Sequence, residues 1–552
     1  MQLRGLMGGV DGMRVAPRMA DRAWSAALVG AVACAGVAAC NGCHAVGLGG
    51  TSEPKLQDAP PTLRVYFVSD LGAAIEPCGC VKDQLGGLDH AAAWIAAERP
   101  HAPSSFLVAA GPTFFMDSAL DPDHRSQDIA KAEALATALR QVGLAGWAPA
   151  TNDWAGGAQE LGKLALLSGA PGLEVGVRVD AGAPLLPTSI VPANGLRVAL
   201  IGVGPTPGPG VGAQPSPVDA VRAASQAARA QGANLVIVLA TVGRGEAKRI
   251  ADAVPDLTAI IVGDAEARGD ANTPSPPAEQ VGNVLIAETS NHLQAVGAID
   301  FYVRGNSYVF ADAAGLADAR KAAEITRRID ELHVKIANWE RDRSIAAPDL
   351  AARRADLARL EAERARLDIK AAPAEGSYFR YTLKEVRDSL GQDPAVKSAL
   401  QSYYRVVNEA NRVQFADRVP PAALPGQPAF LGVEACRSCH VPETRFWEKT
   451  GHAGAYATLS TESKEFNLDC VSCHVTGYGR AGGSTVTHVD RLKNVQCEAC
   501  HGPGSLHAEA PKTVHLSSPG PDACLSCHHP PHVEGFDAVG KMMRVVGPGH
   551  GG

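Results

Sequence analysis

Positive charge is not in excess in this chain. The 51 Lys and Arg residues stand against 58 Asp and Glu, a formal net charge of -7. That balance gives no reason to expect nucleic acid or an anionic membrane surface as a partner. Long apolar runs are also scarce. The most prominent, over 24–39, is too short and too rich in Ala and Gly to span a membrane. The sequence has no internal repeat apart from one pentapeptide near the C-terminus. What it has in quantity is Gly (58) and Pro (38), in a chain of 552 residues. Length and composition together suggest about three to four soluble globular domains.

The pentapeptide is Cys-x-x-Cys-His. It occurs as Cys436-Arg-Ser-Cys439-His440, Cys470-Val-Ser-Cys473-His474, Cys497-Glu-Ala-Cys500-His501 and Cys524-Leu-Ser-Cys527-His528. Two thiols three positions apart can add to the two vinyl groups of one porphyrin. The following imidazole then reaches the iron from the same face as proximal ligand, which is the arrangement of a c-type haem site. Paired Cys-x-x-Cys units also bind zinc. A zinc site does not require His after the second Cys, however, and here it follows all four times. Four haem c groups are therefore expected, and they take eight of the thirteen cysteines.

Covalent haem attachment takes place outside the cytoplasm, and the N-terminus agrees. Arg14, Arg18 and Arg22 precede the apolar run, which ends in Val37-Ala38-Ala39-Cys40. A basic stretch, a short apolar core and small residues describe a secretory signal over 1–40. The Cys after the small residues resembles the lipobox of bacterial lipoproteins, which implies lipidation of Cys40 and a membrane anchor. Cys40-Asn41-Gly42-Cys43-His44 is also a fifth Cys-x-x-Cys-His. Cys40 cannot carry both a lipid and a thioether. Lipidation or plain secretion is the preferred expectation, with a fifth haem at Cys40, Cys43 and His44 as the alternative.

Residues 41–61 read as a linker. Over 62–305 short apolar runs alternate with helical stretches, the pattern of an α/β domain with a buried sheet. Strands are expected over 63–69, 105–110, 196–202, 235–239, 257–262, 284–287 and 298–303. Helices are expected over 89–98, 129–142, 218–230 and 246–254. Over 316–370 the composition turns charge-rich. Ile325, Ile329, Leu332, Ile336 and Trp339 step by four and three, and Leu350, Leu357, Leu360, Arg364 and Leu367 continue those steps after a break. This predicts an antiparallel helical hairpin of coiled-coil type, a structural arm or a contact for a dimer or partner. A further helix over 395–413 and a Pro-rich hinge over 419–428 fill 371–430. The haem region occupies 431–552.

One haem per roughly thirty residues is too dense for an ordinary apolar core, so the porphyrins must supply much of the buried surface. This region resembles the multihaem cytochrome c-554 family. The resemblance is carried by Trp447 and His452 after the first motif, Thr476-Gly477 after the second, and Gln496-Cys497-Glu498-Ala499-Cys500-His501-Gly502-Pro503-Gly504 with His507. It implies distal ligation by His452 and His507, with His532 and His488 as further candidates. His515, His529 and His550 complete the surplus of histidines. Met542 and Met543 read better as core filler. Bis-His irons lack the Met ligand that raises potential, so low-potential electron-transfer centres are expected.

Residues 63–304 resemble the metallophosphoesterase domain of 5'-nucleotidases, in a subgroup with Glu76-Pro77-Cys78-Gly79-Cys80 and Gln84-Leu85-Gly86-Gly87-Leu88. A working enzyme of that type holds two metals with carboxylates, an Asn and several histidines. Here Asp70 precedes Leu71-Gly72, where Asp-x-His is expected. Gly111-Pro112 replaces Gly-Asp. Asn152 remains, and the two late His motifs have become Ala240-Thr241-Val242-Gly243 and Val262-Gly263-Asp264-Ala265-Glu266. Two ligands do not make a dinuclear site, so a catalytically silent scaffold or binding module is expected. Cys78 and Cys80 are structural, redox or metal-binding.

The chain is thus expected to be a periplasmic or lipid-anchored tetrahaem electron-transfer protein that serves redox partner proteins. The alternatives are a haem enzyme acting on a small nitrogen or sulfur compound at a five-coordinate haem, and a phosphoesterase with a cytochrome tail.

Overall fold

The computed structural model describes residues 59–77, 84–175, 185–205, 215–267, 271–340, 345–367, 372–530, 533 and 536–547. The expectations for Cys40, Cys43, His44, Cys78, Cys80, His532 and His550 lie outside these. The described residues belong to one compact unit that begins at Leu56.

Two sheets make the α/β part. In the first, the strands run in the order β13 (Phe310–Asp312), β14 (Ser377–Glu385), β12 (Ala295–Tyr302), β1 (Leu63–Ser69), β2 (Ser105–Ala110), β3 (Leu144–Ala148), β4 (Gly172–Leu173) and β5 (Leu185–Leu186). In the second the order is β10 (Glu279–Val281), β11 (Val284–Ala287), β9 (Ala259–Val262), β8 (Leu235–Ala240), β7 (Leu196–Val203) and β6 (Thr188–Ala193). β1 to β5 pair in parallel, as do β7, β8, β9 and β11, whereas β12 runs antiparallel to both β1 and β14.

Period-two geometry sends alternate residues of each strand to different cores. Leu63, Val65 and Phe67 of β1 meet Val198, Leu200, Ile237 and Ile261 between the sheets. Tyr66 and Val68 point the other way, into a layer built by α1 (Leu88–Glu98), α2 (Arg125–Val142) and α3 (Ala158–Ser168). The outer face of the second sheet is covered by α4 (Pro217–Ala230) and α5 (Arg244–Ala253). Strands buried on both faces explain the near-continuous apolar runs such as Leu235–Ala240. The result is a helix–sheet–sheet–helix sandwich.

The hairpin consists of α6 (Leu316–Trp339) and α7 (Ala347–Leu367). Ion pairs Lys321–Glu363 and Glu340–Arg354 fix the two helices antiparallel, with Ile325, Ile336 and Leu360 buried along the seam. Two boundaries differ from expectation. The sheet does not end at 305, because β13 and β14 flank the hairpin and belong to the same sheet as β1. In 371–430 the expected helix is present, and the strand β14 that precedes it is the addition. After β14, α8 (Pro394–Gln414) buries Val396, Leu400, Tyr403, Tyr404 and Val407 in the core of α1 and α2. The Pro-rich stretch that follows is fastened rather than hinged: Gly482 N–H donates to Pro421 O at 2.7 Å.

The C-terminal region is a series of short helices. They are α9 (Val433–Arg437), α10 (Val441–Trp447), α11 (Ala455–Thr461), α12 (Leu468–His474), α13 (Cys497–His501), α14 (Ser505–Glu509) and α15 (Ala538–Met542). Its apolar clusters are small: Tyr456, Val471, Val475 and Val489 in one, Phe415, Leu468 and Val486 in another. Among the described residues, no helix is long and apolar enough to cross a membrane.

Candidate haem chamber and the remnant of a hydrolytic site

The C-terminal helices are positioned by buried polar side chains around Cys497. The Glu498 carboxylate accepts from Leu431 N–H (3.0 Å), Gly432 N–H (2.7 Å) and Gly504 N–H (2.7 Å). Gln496 Oε1 accepts from Val433 N–H at 2.6 Å, and its Nε2 donates to the carbonyls of Arg491 and Lys493. Trp447 Nε1 donates to Val495 O at 2.8 Å. The residues flanking the third motif therefore hold the first motif in place.

This packing encloses a cavity of about 2580 Å³, lined by residues of all four Cys-x-x-Cys-His motifs. A pocket for one drug-sized ligand is typically about 300–1,000 Å³, so several large groups fit. The thiols lie in a chain. Cys436 lies close to Cys497, and Cys473 close to Cys527, and each neighbour raises a thiol pKa. Cys500 lies within electrostatic reach of Cys524. In space the motifs therefore run first, third, fourth, second.

The histidines fit haem iron. His474 Nδ1 is 2.6 Å from Ala455 O, His501 Nδ1 2.9 Å from Ser517 O, and His507 Nδ1 2.6 Å from Val514 O. Such contacts fix the tautomer and leave Nε2 as the ligating nitrogen. Two imidazoles that share one metal stand about 6 Å apart, from two bonds of about 2 Å and roughly 1 Å from each nitrogen to its ring centre. His440 and His507 have ring centroids 6.2 Å apart, and His452 and His528 6.3 Å apart. Burial lowers the pKa of both His452 and His528, which favours the neutral, ligating form. His507 and His452 are thus brought opposite His440 and His528, each from a part of the chain remote in sequence. His488 is not. It lies off the cavity, with Nδ1 3.1 Å from Thr487 Oγ1, because Thr487 is anchored to Phe415 O. His515 and Met542 line the cavity, although neither was favoured from sequence, and Met543 is exposed.

The edge of the sandwich carries Asp70 and Asn152, the two residues that the sequence resemblance singled out. Asp70 is buried with a left-handed φ of 47°, and its Oδ1 accepts from Asp264 N–H at 2.7 Å. Burial and the nearby Asp264 carboxylate push its pKa well above the ordinary range. Two glycines allow close packing there: a Cβ on Gly111 would lie 1.9 Å from Asp70 Oδ1, and one on Gly263, where the second sheet meets the first, would lie 2.5 Å from the backbone of Ala110. Asn152 donates to Met116 O and Ala267 O and accepts from Ala267 N–H, so its amide is committed to the backbone. Sequence reasoning passed over Glu174. It is buried, with Oε1 accepting from Gly204 N–H and Oε2 without a partner, and burial pushes its pKa up to about 8. An acidic residue next to a short strand is no signal by itself.

Residues 435–502 match the family Cytochrome c554 and c-prime. A 79-residue stretch is 35% identical to cytochrome c-554 of Nitrosomonas europaea, over 12% of this chain and 34% of that protein. The C-terminal region is therefore a c-type cytochrome module that binds haem. Among solved structures, the 5'-nucleotidase precursor of Thermus thermophilus is similar with a TM-score of 0.42 and 15% identity, over 65% of this chain and 61% of that one. The calcineurin-like phosphoesterase YfkN of Bacillus subtilis is similar with a TM-score of 0.38 and 16% identity, over 44% of this chain and 85% of its own. The chain joins an α/β sandwich to a cytochrome module, and spans about a third of the curated cytochrome it matches.

Proposed function

We propose that the protein is an electron-transfer protein of the periplasmic side, with four covalently attached haems and a lipid anchor at Cys40, and that it exchanges electrons with redox partner proteins. The observation that carries this reading is the cavity onto which all four motifs open, with His507 and His452 facing His440 and His528. The bound haems supply one-electron redox chemistry. The chain's own part is to fix their order, hold the ligating tautomers and exclude water. The route is read from the proximity of attachment thiols: Cys436 to Cys497, Cys500 to Cys524, and Cys527 to Cys473. The α/β domain serves as a non-hydrolytic scaffold; support comes from the lost ligands and the committed Asn152 amide. The test is haem stoichiometry by mass with a reduced-minus-oxidised spectrum of the purified protein. Four haems per chain are expected, and His507→Ala should turn one of them high-spin. A stoichiometry below four, or a low-spin His507→Ala protein, would refute the reading.

A second reading has one observation in its favour. Among the described residues, no imidazole faces His474 as His507 faces His440. An open face there suits a haem that binds a small nitrogen or sulfur compound. A high-spin ferric fraction that binds nitric oxide would support it, and a wholly low-spin spectrum would remove it.

A further inference from the structure

The second motif sits against the α/β domain. Lys464 pairs with Glu76, and its ammonium lies 4.2 Å from the centre of the Tyr404 ring. Phe466 N–H donates to Asn408 Oδ1 at 2.8 Å, and Asn411 Nδ2 donates to Phe466 O at 2.9 Å. Leu468 N–H donates to Gln127 Oε1 at 2.9 Å, and Lys131 pairs with Asp469. Cys470 itself lies within electrostatic reach of Tyr403 and Tyr404. Every residue of the run Lys464–Cys470 named here is held by α2, α8 or the loop after β1.

The same cavity that is lined by Cys470, Cys473 and His474 is also lined by the sandwich edge, through Glu76, Asn272, Ser275, Ser290 and His292. That edge carries unusual backbone. Asp70, Ala73, His292 and Leu293 all have left-handed φ, at 47°, 58°, 51° and 54°. Such residues persist only where the surroundings over-determine them, and they gather at functional sites. Here His292 N–H to Asp70 O (3.0 Å) and Ala73 N–H to Thr113 O (3.1 Å) do the holding. His292 Nδ1 is 2.9 Å from Asn272 Oδ1. The wall sets hydroxyl, amide and imidazole groups among apolar side chains such as Ala73, Ile75 and Leu85. Its polar groups give a small polar solute hydrogen-bond partners there.

We propose that the α/β domain is the outer wall of the haem site at Cys470–His474: it closes that haem to protein partners and admits a small polar ligand between the haem and the sandwich edge. This rests on the open face of that haem read above. The Glu76–Lys464 pair, with Tyr404 beneath it, is the seal. Protein partners then exchange electrons at the other end of the haem series.

The test uses the full-length ferric haem protein with two probes, azide and the bulkier 4-phenylimidazole, followed by the visible spectrum. Azide should convert a quarter of the haem, and 4-phenylimidazole should bind about tenfold more slowly or not at all. Glu76→Gln and Lys464→Met should each speed 4-phenylimidazole binding about tenfold and leave azide binding within a few-fold. Haem stoichiometry and hydrogen exchange over 464–470 show whether each variant has kept its fold; Tyr404→Phe, which loses only the hydroxyl, is the milder third variant. Equal access of both probes to the unmodified protein would overturn the wall while leaving the open face standing. Exclusion of 4-phenylimidazole that survives all three substitutions would overturn the seal. Failure of azide to bind any haem would remove the open face, and the proposal with it.

Discussion

Glu498 offers the clearest quantitative test of how the cytochrome module is held. Its carboxylate is buried and takes three backbone donors, from Leu431, Gly432 and Gly504. Glu498→Ala leaves all three N–H groups without an acceptor. A buried polar group stripped of its partner costs about 1–3 kcal/mol, so the set should cost roughly 3–6 kcal/mol after partial relaxation. Glu498→Gln retains one oxygen and turns an NH₂ toward the remaining donors, and should lose about half as much. Multi-domain unfolding does not give one free energy, so the assay is local: native-state hydrogen exchange of peptides spanning 429–437. At about 1.4 kcal/mol per tenfold, protection in Glu498→Ala should fall at least a hundredfold. Mass analysis of the Cys436 peptide reports haem attachment in the same sample. Protection within about threefold of the unmodified protein would refute the claim that the third motif anchors the first.

Two further outcomes follow from the sandwich edge. Glu174, lifted from an ordinary 4.5 to about 8 by burial, binds its proton more tightly folded than unfolded. Its stabilising contribution is full below 4.5 and is lost as pH rises to about 8, at about 1.4 kcal/mol per pH unit. Glu174→Gln should therefore gain on the unmodified protein between about pH 5 and 8.5 in native-state hydrogen exchange of peptides spanning 172–175 and 203–205, and parallel pH profiles would exclude the assignment. For Asp70, phosphoesterase assays with added manganese or zinc should give no turnover; turnover abolished by Asp70→Ala would overturn the silent-scaffold reading.

What could be read from the sequence was what local spacing encodes. The Cys-x-x-Cys-His motifs declare their chemistry within five residues, and apolar runs such as Leu235–Ala240 declare buried strands. The hairpin seam was legible because its period is sustained over both helices. β14 was not, because Ser377–Glu385 lacks a clean apolar alternation, with Thr382, Leu383 and Glu385 exposed, and it pairs with β12 across the whole hairpin. Distal ligation was half legible. His452 and His507 stood out as candidates, but which iron each serves depends on contacts between motifs far apart in the chain. His488 was a further candidate in sequence, and the anchoring of its turn keeps it off the cavity.

The small apolar clusters of the C-terminal region carry a consequence for biogenesis. Residues such as Val471, Val475 and Tyr456 are too few to collapse by themselves, whereas the α/β sandwich has three full cores of its own. The order of assembly is then set: the sandwich folds as soon as it is made, while the cytochrome part stays open to the attachment machinery until its porphyrins arrive. Substitutions that weaken this part will be seen in cells as missing haem and degraded chain, long before they register as altered electron transfer.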